Sequence, residues 1–527
     1  MHEESPGFIP RRARTDLPLP PWTLASVHGK LRFMITALGI FLLTYIFIGL
    51  RQIPRVPIDR PAGALVGAVL MVVAGVVTLE QAFAAIDMHT LLLLLGMMII
   101  TVYLRAAGFF ELMADRMISL SSSPFRLLVL ISITSGVLSA LFVNDTICLL
   151  YTPIILSVVS QLRLNPLPYL LALATASNIG SVMTVTGNPQ NMLIGIASGI
   201  PYLVFFGALF PVAVIGLAVS IGVIRLLYRK DVSRERFDHR PITPSYAVDR
   251  PLLAKSLIVS AGVLAAFSLG CPVSLSAAAG AVVLMLIGGI KTERVLESVD
   301  WTLLLFFAGL FVVMRGVEAS GLAGRMISAL GGADAGSTVG RIAGLSFVSA
   351  ALSNVVSNVP AVMLLKPLIP ALGGERVLWL ALAMSSTLAG NFTLIGSVAN
   401  LIVAQQARKQ VEIGFVEYFR AGALITVITI MAGILVLVVE TKIAQGAEPQ
   451  ARQNGVVLTF EPRDQTSAAR KFRMVLRCTT AQEKIRGLQG FRKLGPDEAA
   501  LFSFDPPEAV TFWMATVAYP LDILFID

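Results

Sequence analysis

Long apolar runs recur along almost the whole chain. They fall near 31–50, 61–79, 88–107, 125–142, 145–160, 201–227, 252–270, 272–290, 301–318, 342–365, 376–407 and 418–440. Each approaches the ~20 residues that a helix needs to cross a bilayer. A soluble fold cannot bury so many: 14% of the residues are charged and 56% hydrophobic, whereas roughly a quarter of a soluble domain is charged. The reading is a polytopic membrane protein, all-α in its membrane part because a helix satisfies its own backbone in lipid. Asn, Gly and Pro interrupt several runs, so some are expected to be broken or re-entrant. The opening stretch MHEESPGFIPRRARTDLPLPPW is polar and Pro-rich, which is not the pattern of a cleavable signal peptide.

The formal net charge of +9 raises nucleic acid as a partner, but its placement argues against one. The densest cluster, RLLYRKDVSRERFDHRPITPSYAVDRPLLAK, lies between two apolar runs and reads as a cytoplasmic loop under the positive-inside rule. Cys148, Cys271 and Cys478 are far apart, so they offer neither a disulfide framework nor a metal-ligand spacing. The four histidines are scattered, which leaves a membrane-embedded metalloenzyme without a ligand cluster. No catalytic residue, metal or cofactor is expected.

An internal repeat organises the chain. HTLLLLLGMMII at His89 matches WTLLLFFAGLFV at Trp301, and DRMISL ending at Leu120 matches GRMISAL ending at Leu330. SALFVNDTICLLYTPII from Ser139 matches SAALSNVVSNVPAVMLLKPLI from Ser349, pairing Asn144 with Asn358 and Pro153 with Pro367. TVTGNPQN at Thr184 matches TLIGSVAN at Thr393, pairing Gly187 with Gly396 and Asn191 with Asn400. Paired interruptions at corresponding positions of two repeats point to a transporter's midplane site. Free helix N-termini there suit an anion, and unwound carbonyls and Asn oxygens suit a cation. A channel needs no such pairing, and a scaffold gains support only from the C-terminal segment.

Among single residues, Asp145 is the most informative. A carboxylate in an apolar span costs at least ~2.5 kcal/mol, so it binds a coupling cation, carries a proton, or caps a half-helix. Lys366 stands where the first half has Thr152 and either attracts substrate or reaches for the interface. His89, Arg105 and Arg315 read as residues at span ends.

Over roughly 30–441 the chain resembles the ion transporter superfamily of citrate and dicarboxylate permeases, arsenite efflux pumps, NhaD-type sodium/proton antiporters and sodium-coupled divalent-anion symporters. ASNIGSVMTVTGNPQNMLIG from Ala176 is similar to that family's NIG…G-x-P-x-N loop, and GNFTLIGSVANLIV from Gly390 to its partner. The resemblance implies a secondary active transporter of a small inorganic or organic anion, coupled to a sodium or proton gradient by alternating access. A homodimer is the usual assembly in that superfamily. Asn144, Asp145, Thr146, Asn178, Gly187, Asn188, Ser357, Asn358, Asn391, Thr393, Gly396 and Asn400 are the implied substrate-binding residues around one central cavity, with Asp145 coupling. The divalent-anion symporters carry Ser-Asn-Thr where this chain has Val143-Asn144-Asp145 and Ser357-Asn358-Val359. An Asn-Asp tip is more similar to the arsenite pump branch, with an oxyacid cargo. The runner-up is a sodium/proton antiporter in which Asp145 exchanges the ions.

The expected organisation is a polar tail (1–30), a first repeat (31–228), a basic cytoplasmic loop (229–251), a second repeat (252–441), a linker (442–464) and a small β-rich domain (465–527). The repeats are expected to be inverted, each with about five transmembrane helices, re-entrant hairpins and broken helices. The protein is then a multi-pass inner-membrane protein with both ends outside, at the cost of exporting Arg11, Arg12, Arg14, Lys30 and Arg32 against the charge rule. The last segment, with RKFRMVLRC and AVTFWMATVAYPLDILFID, alternates like short strands. It resembles domain of unknown function family 192 and stops where that family usually continues, which implies a truncated domain.

Overall fold

The computed structural model describes residues 21–49, 59–233, 248–321 and 337–446, together with three strands further on. The described chain is mostly helical and divides into two compact units, Met1–Ile86 with Ala308–Arg325 and Asp87–Phe307 with Met326–Asp527.

In the first unit, α1 (Pro21–Gly49) packs on α2 (Arg60–Val73), and α3 (Leu79–Ala85) follows. Asp59 starts α2 by accepting the Ala62 N–H at 3.0 Å, with Pro61 in the first turn, where its missing N–H costs nothing. Thr78 and Gln81 bond reciprocally at the start of α3, a capping box. The close approach of α1 and α2 depends on Gly63 and Gly67, where a Cβ would meet Phe47 and Thr44.

The second unit holds α4 (Met88–Ala106), α5 (Phe109–Leu120), α6 (Pro124–Leu141), α7 (Asn144–Gln161), α8 (Leu167–Ser181), α9 (Pro189–Ser198) and α10 (Tyr202–Leu227). It continues through α11 (Arg229–Val232), α12 (Arg250–Ser268), α13 (Val273–Ile287), α14 (Thr292–Glu297) and the start of α15 (Trp301–Ala319). Then come α16 (Thr338–Val356), α17 (Asn358–Leu365), α18 (Leu368–Ala371), α19 (Arg376–Ala389), α20 (Val398–Ala407) and α21 (Phe415–Gly446). Seven described helices are long and apolar enough to cross a membrane: α4, α6, α10, α12, α15, α16 and α21. Their unburied faces are apolar too, with Ile258 71% and Val355 81% exposed, as lipid as solvent requires. The protein is an integral membrane protein.

Every residue of α8 is buried, and so is Leu380–Ala389 of α19. A helix apolar all round is a buried one, and these two form the centre of the unit. α6 reaches α8 through glycine: a Cβ on Gly180 would collide with the Gly136 backbone. Such close backbone approach is how membrane helices gain packing without a hydrophobic drive. One arrangement occurs twice along this unit, a helix–tip–helix (α6–α7, then α16–α17) followed by a helix–loop–helix (α8–α9, then α19–α20). The 376–407 run is thus broken in two, at 390–397. HTLLLLLGMMII lies in α4 and DRMISL in α5, while the GRMISAL segment lies outside the described residues.

Beyond 446 the described residues are the strands β1 (Val457–Phe460), β2 (Arg470–Cys478) and β3 (Glu498–Phe502), in the order β1-β2-β3. β1 runs antiparallel to β2 with Val457 opposite Arg473, and β3 parallel to β2 with Arg473 opposite Glu498. RKFRMVLRC is therefore β2. The AVTFWMATVAYPLDILFID segment lies outside the described residues, as do the 1–20 tail, most of the basic loop and most of the linker.

Candidate functional site

The two breaks in the central helices are held by asparagine in place of backbone. After α8 the chain leaves helical geometry for 182–188 and resumes at Pro189 with Asn188 as N-cap, its Oδ1 accepting the Asn191 N–H at 2.8 Å. The carbonyls freed at Ser181, Val182 and Thr184 accept from Asn191 Nδ2 at 3.0, 3.2 and 3.0 Å. Asn400 does the same work in the second break, donating from Nδ2 to Gly390 O at 2.7 Å and Thr393 O at 3.1 Å. Broken helix inside a membrane protein survives only when its backbone groups find such partners. Gly187 and Gly396 are buried in these loops, and a Cβ on Gly187 would strike the Ser181 backbone.

The first tip docks on the first break. Asn144, the first residue of α7, donates its N–H to Gly187 O at 3.0 Å and its side chain to Asn178 Oδ1 at 2.9 Å. Its carbonyl accepts from Ser177 Oγ at 3.1 Å, which in turn shares a 2.7 Å bond with Ser139 Oγ. Asn178 then reaches into the second half. Its Nδ2 donates to Asn391 Oδ1 at 2.8 Å and Asn400 Oδ1 at 3.0 Å, while its Oδ1 also accepts from Ser397 Oγ at 3.0 Å. Asn391 is anchored by donation to Thr175 O at 3.2 Å. Thr387 makes a second bridge, accepting from Asn188 and Gln190 and donating to Asn191 Oδ1 at 3.3 Å.

The second tip is built differently. Ser357 has φ 75° and ψ 162°, a region that only glycine visits freely, and Asn358 follows as the buried first residue of α17. Gly390 lies so near that a Cβ there would come within 3.0 Å of Asn358 Nδ2. Thr393 bonds to Asn354 Oδ1 at 3.3 Å, not to Asn358. At both tips one oxygen is left over: Asn144 Oδ1 and Asn358 Oδ1 are buried and accept no hydrogen bond.

Asn144, Asn178, Gly187, Asn188, Asn391, Gly396 and Asn400 therefore gather around the two breaks, and all are buried. Asp145 and Thr146 stand in the first turn of α7, partly buried, where the helix dipole favours a carboxylate. Ser357, Asn358 and Thr393 cluster with Asn354 beside the second break. The asparagines implied to surround one central cavity bond directly to one another. The described cavity of about 430 Å³ lies beside α7, lined by Arg105, Glu111 and Gln406 among others and by none of the expected residues. Asn191, Gln190, Thr387 and Ser397 were not among the expected site residues. Asn191 and Ser397 were legible through the repeat, which sets them opposite Asn400 and Asn188, whereas Gln190 and Thr387 carry no sequence signal. Among the described residues no three His, Cys, Asp or Glu group to hold a metal.

Residues 45–384 match the family model described as citrate transporter, and 463–527 match that of an uncharacterised family, domain of unknown function 192. The chain belongs to the citrate transporter family. This family member is 31% identical over 437 residues to the silicon efflux transporter LSI3 of Oryza sativa subsp. japonica, covering 71% of the chain and 90% of the relative. It is 32% identical over 423 residues to the 46 kDa membrane protein of Mycobacterium leprae, covering 76% and 97%. A putative transporter, arsB, of Dictyostelium discoideum is 26% identical over 496 residues, covering 73% and 88%. The fold is similar to the crystal structure of the Alcanivorax borkumensis YdaH transporter, with TM-score 0.50, 15% identity and coverage of 79% and 99%. The family and the relatives are transporters, so the citrate-transporter-family chain is a membrane transporter and not an enzyme.

Proposed function

We propose that this transporter is a secondary active one, moving a small anion or oxyacid coupled to a proton or sodium gradient by alternating access. The observation that carries the reading is the pair of buried oxygens, Asn144 Oδ1 and Asn358 Oδ1, that accept nothing at corresponding tips. A buried polar atom without a partner costs about 1–3 kcal/mol, and a coupling cation or its water is the partner such oxygens suit. The surrounding asparagines come from both halves, so moving one half against the other would remake the site. A relative named for silicon efflux supports an oxyacid cargo. The two halves are proposed to be inverted, with the basic loop cytoplasmic, both ends outside, and a homodimer as the assembly.

Asp145 favours a second reading, a sodium/proton antiporter, because a carboxylate in the first turn of α7 can exchange the two ions. Uptake into proteoliposomes separates them, using silicic acid, arsenite, sulfate, phosphate, citrate and succinate under imposed proton or sodium gradients, with Asp145→Asn beside wild type. One solute moving, with the variant blind to the gradient, supports the oxyacid transporter. Proton flux driven by sodium with no solute moving would replace it by the antiporter.

A further inference from the structure

The cavity of about 430 Å³ beside α7 has a chemistry of its own. Arg105, in the last turn of α4, and Glu111, on α5, both line it. The ion pairs among the described residues are Arg315–Glu318, Arg341–Glu375 and Arg376–Glu440, so the guanidinium and the carboxylate do not neutralise each other by contact. Glu111 Oε2 is shielded and accepts no hydrogen bond, and the neighbouring Tyr151 hydroxyl is buried and equally unpartnered.

A third polar group is held in place by the helix itself. Pro153 has no N–H to give the carbonyl four residues earlier, and that carbonyl, Leu149 O, accepts instead from Gln406 Nε2 at 3.1 Å. The bond fixes the amide of α20 at the cavity wall and leaves its Oε1 as an acceptor. The α7 wall consists of Leu149 and Pro153 with Leu150 and Ile154. These continue, at spacings of four, the faces that begin with Asp145 and Thr146. At 1.5 Å per residue the cavity lies ~6–12 Å along α7 from Asp145, beside the start of the asparagine network.

We infer that this cavity is an antechamber that binds a net-neutral hydroxylated solute, an undissociated oxyacid, before it reaches the asparagine site. The inference rests on the oxyacid-transport reading above. Arg105 donates to the acid's oxygens, Glu111 accepts from its hydroxyls, and Gln406 supplies a neutral acceptor. A dissociated anion gains from Arg105 and loses to Glu111, and a cation the reverse, while either must also shed more hydration than a neutral acid.

The test uses full-length protein in proteoliposomes, with germanic acid as the neutral oxyacid, sulfate as the dissociated one and alanine as a zwitterion. Wild type takes up germanic acid, and sulfate does not compete. Glu111→Gln raises the KM for germanic acid about tenfold with kcat unchanged, as loss of one charge-assisted hydrogen bond does, and makes sulfate a competitor. Arg105→Gln, at an exposed position, raises the same KM if Glu111→Gln fails to fold. Unchanged KM and unchanged sulfate exclusion in both variants, with flux still lost in Asn178→Ala, overturn the antechamber and leave the transport reading standing. Wild type moving sulfate but not germanic acid overturns the antechamber alone. Preference for alanine, or no flux of any probe, overturns both.

Discussion

Asn178 spends both ends of its amide on joining the two halves, accepting from Asn144 and Ser397 and donating to Asn391 and Asn400. No other residue type of that size offers two donors and an acceptor in one plane. Asn178→Ala leaves those partners buried with unmade bonds, at about 1–3 kcal/mol for each group stranded. We expect at least a tenfold loss of uptake and a clear fall in thermal unfolding temperature, read by intrinsic fluorescence of the purified protein. Retention of wild-type uptake would remove the network from the site. Ser357 makes the opposite prediction. Its φ of 75° stores strain that glycine does not feel, so Ser357→Gly is expected to stabilise the protein by ~1 kcal/mol. Val143, at the first tip, has φ −60°, and Val143→Gly brings no such gain.

At the scale of elements, α7 is a helix with a deliberate fault. Pro153 opens its ladder at Leu149 O, and Gln406 of α20 closes it again. Pro153→Ala restores the internal N–H and makes the long-range bond redundant. Gln406→Ala is therefore expected to destabilise wild type by ~1 kcal/mol and the Pro153→Ala protein by much less. The coupling would be read from a double-mutant cycle in unfolding temperature; two independent losses would show that the bond across α7 and α20 carries no weight. The pairing of Pro153 with Pro367 was legible in the sequence as a repeat. The repair by Gln406 was not, because it joins residues 257 positions apart.

For the whole molecule, the proposed inverted halves fix where the basic loop and the C-terminal segment lie. We expect a reporter enzyme that folds only outside the cytoplasm to be active when fused after Gly446 and silent when inserted near Asp238. The reverse pattern would turn the protein over, placing Arg11, Arg12 and Arg14 inside but the basic loop outside, where the charge rule does not put it. The C-terminal strands pair in the order β1-β2-β3, and residues 463–527 match an uncharacterised family, so the transport reading stands on 45–384.

The sequence by itself determined the solvent, the helical class, the family and the two places where central helices break. Those follow from local properties: apolar length, Gly and Pro at fixed spacing, and one pattern written twice. The repeat and the family resemblance together pointed to Asn144, Asn178, Asn188, Asn391 and Asn400, which the structure gathers around the breaks. Only the tertiary structure decided what their partners are. It made Asn191 and Asn400 substitutes for lost helix bonds, turned the asparagines toward one another, and set Ser357 in a strained backbone. It also put the cavity beside Arg105, Glu111 and Gln406, which lie on three helices and whose spacing along the chain carries no periodic signal.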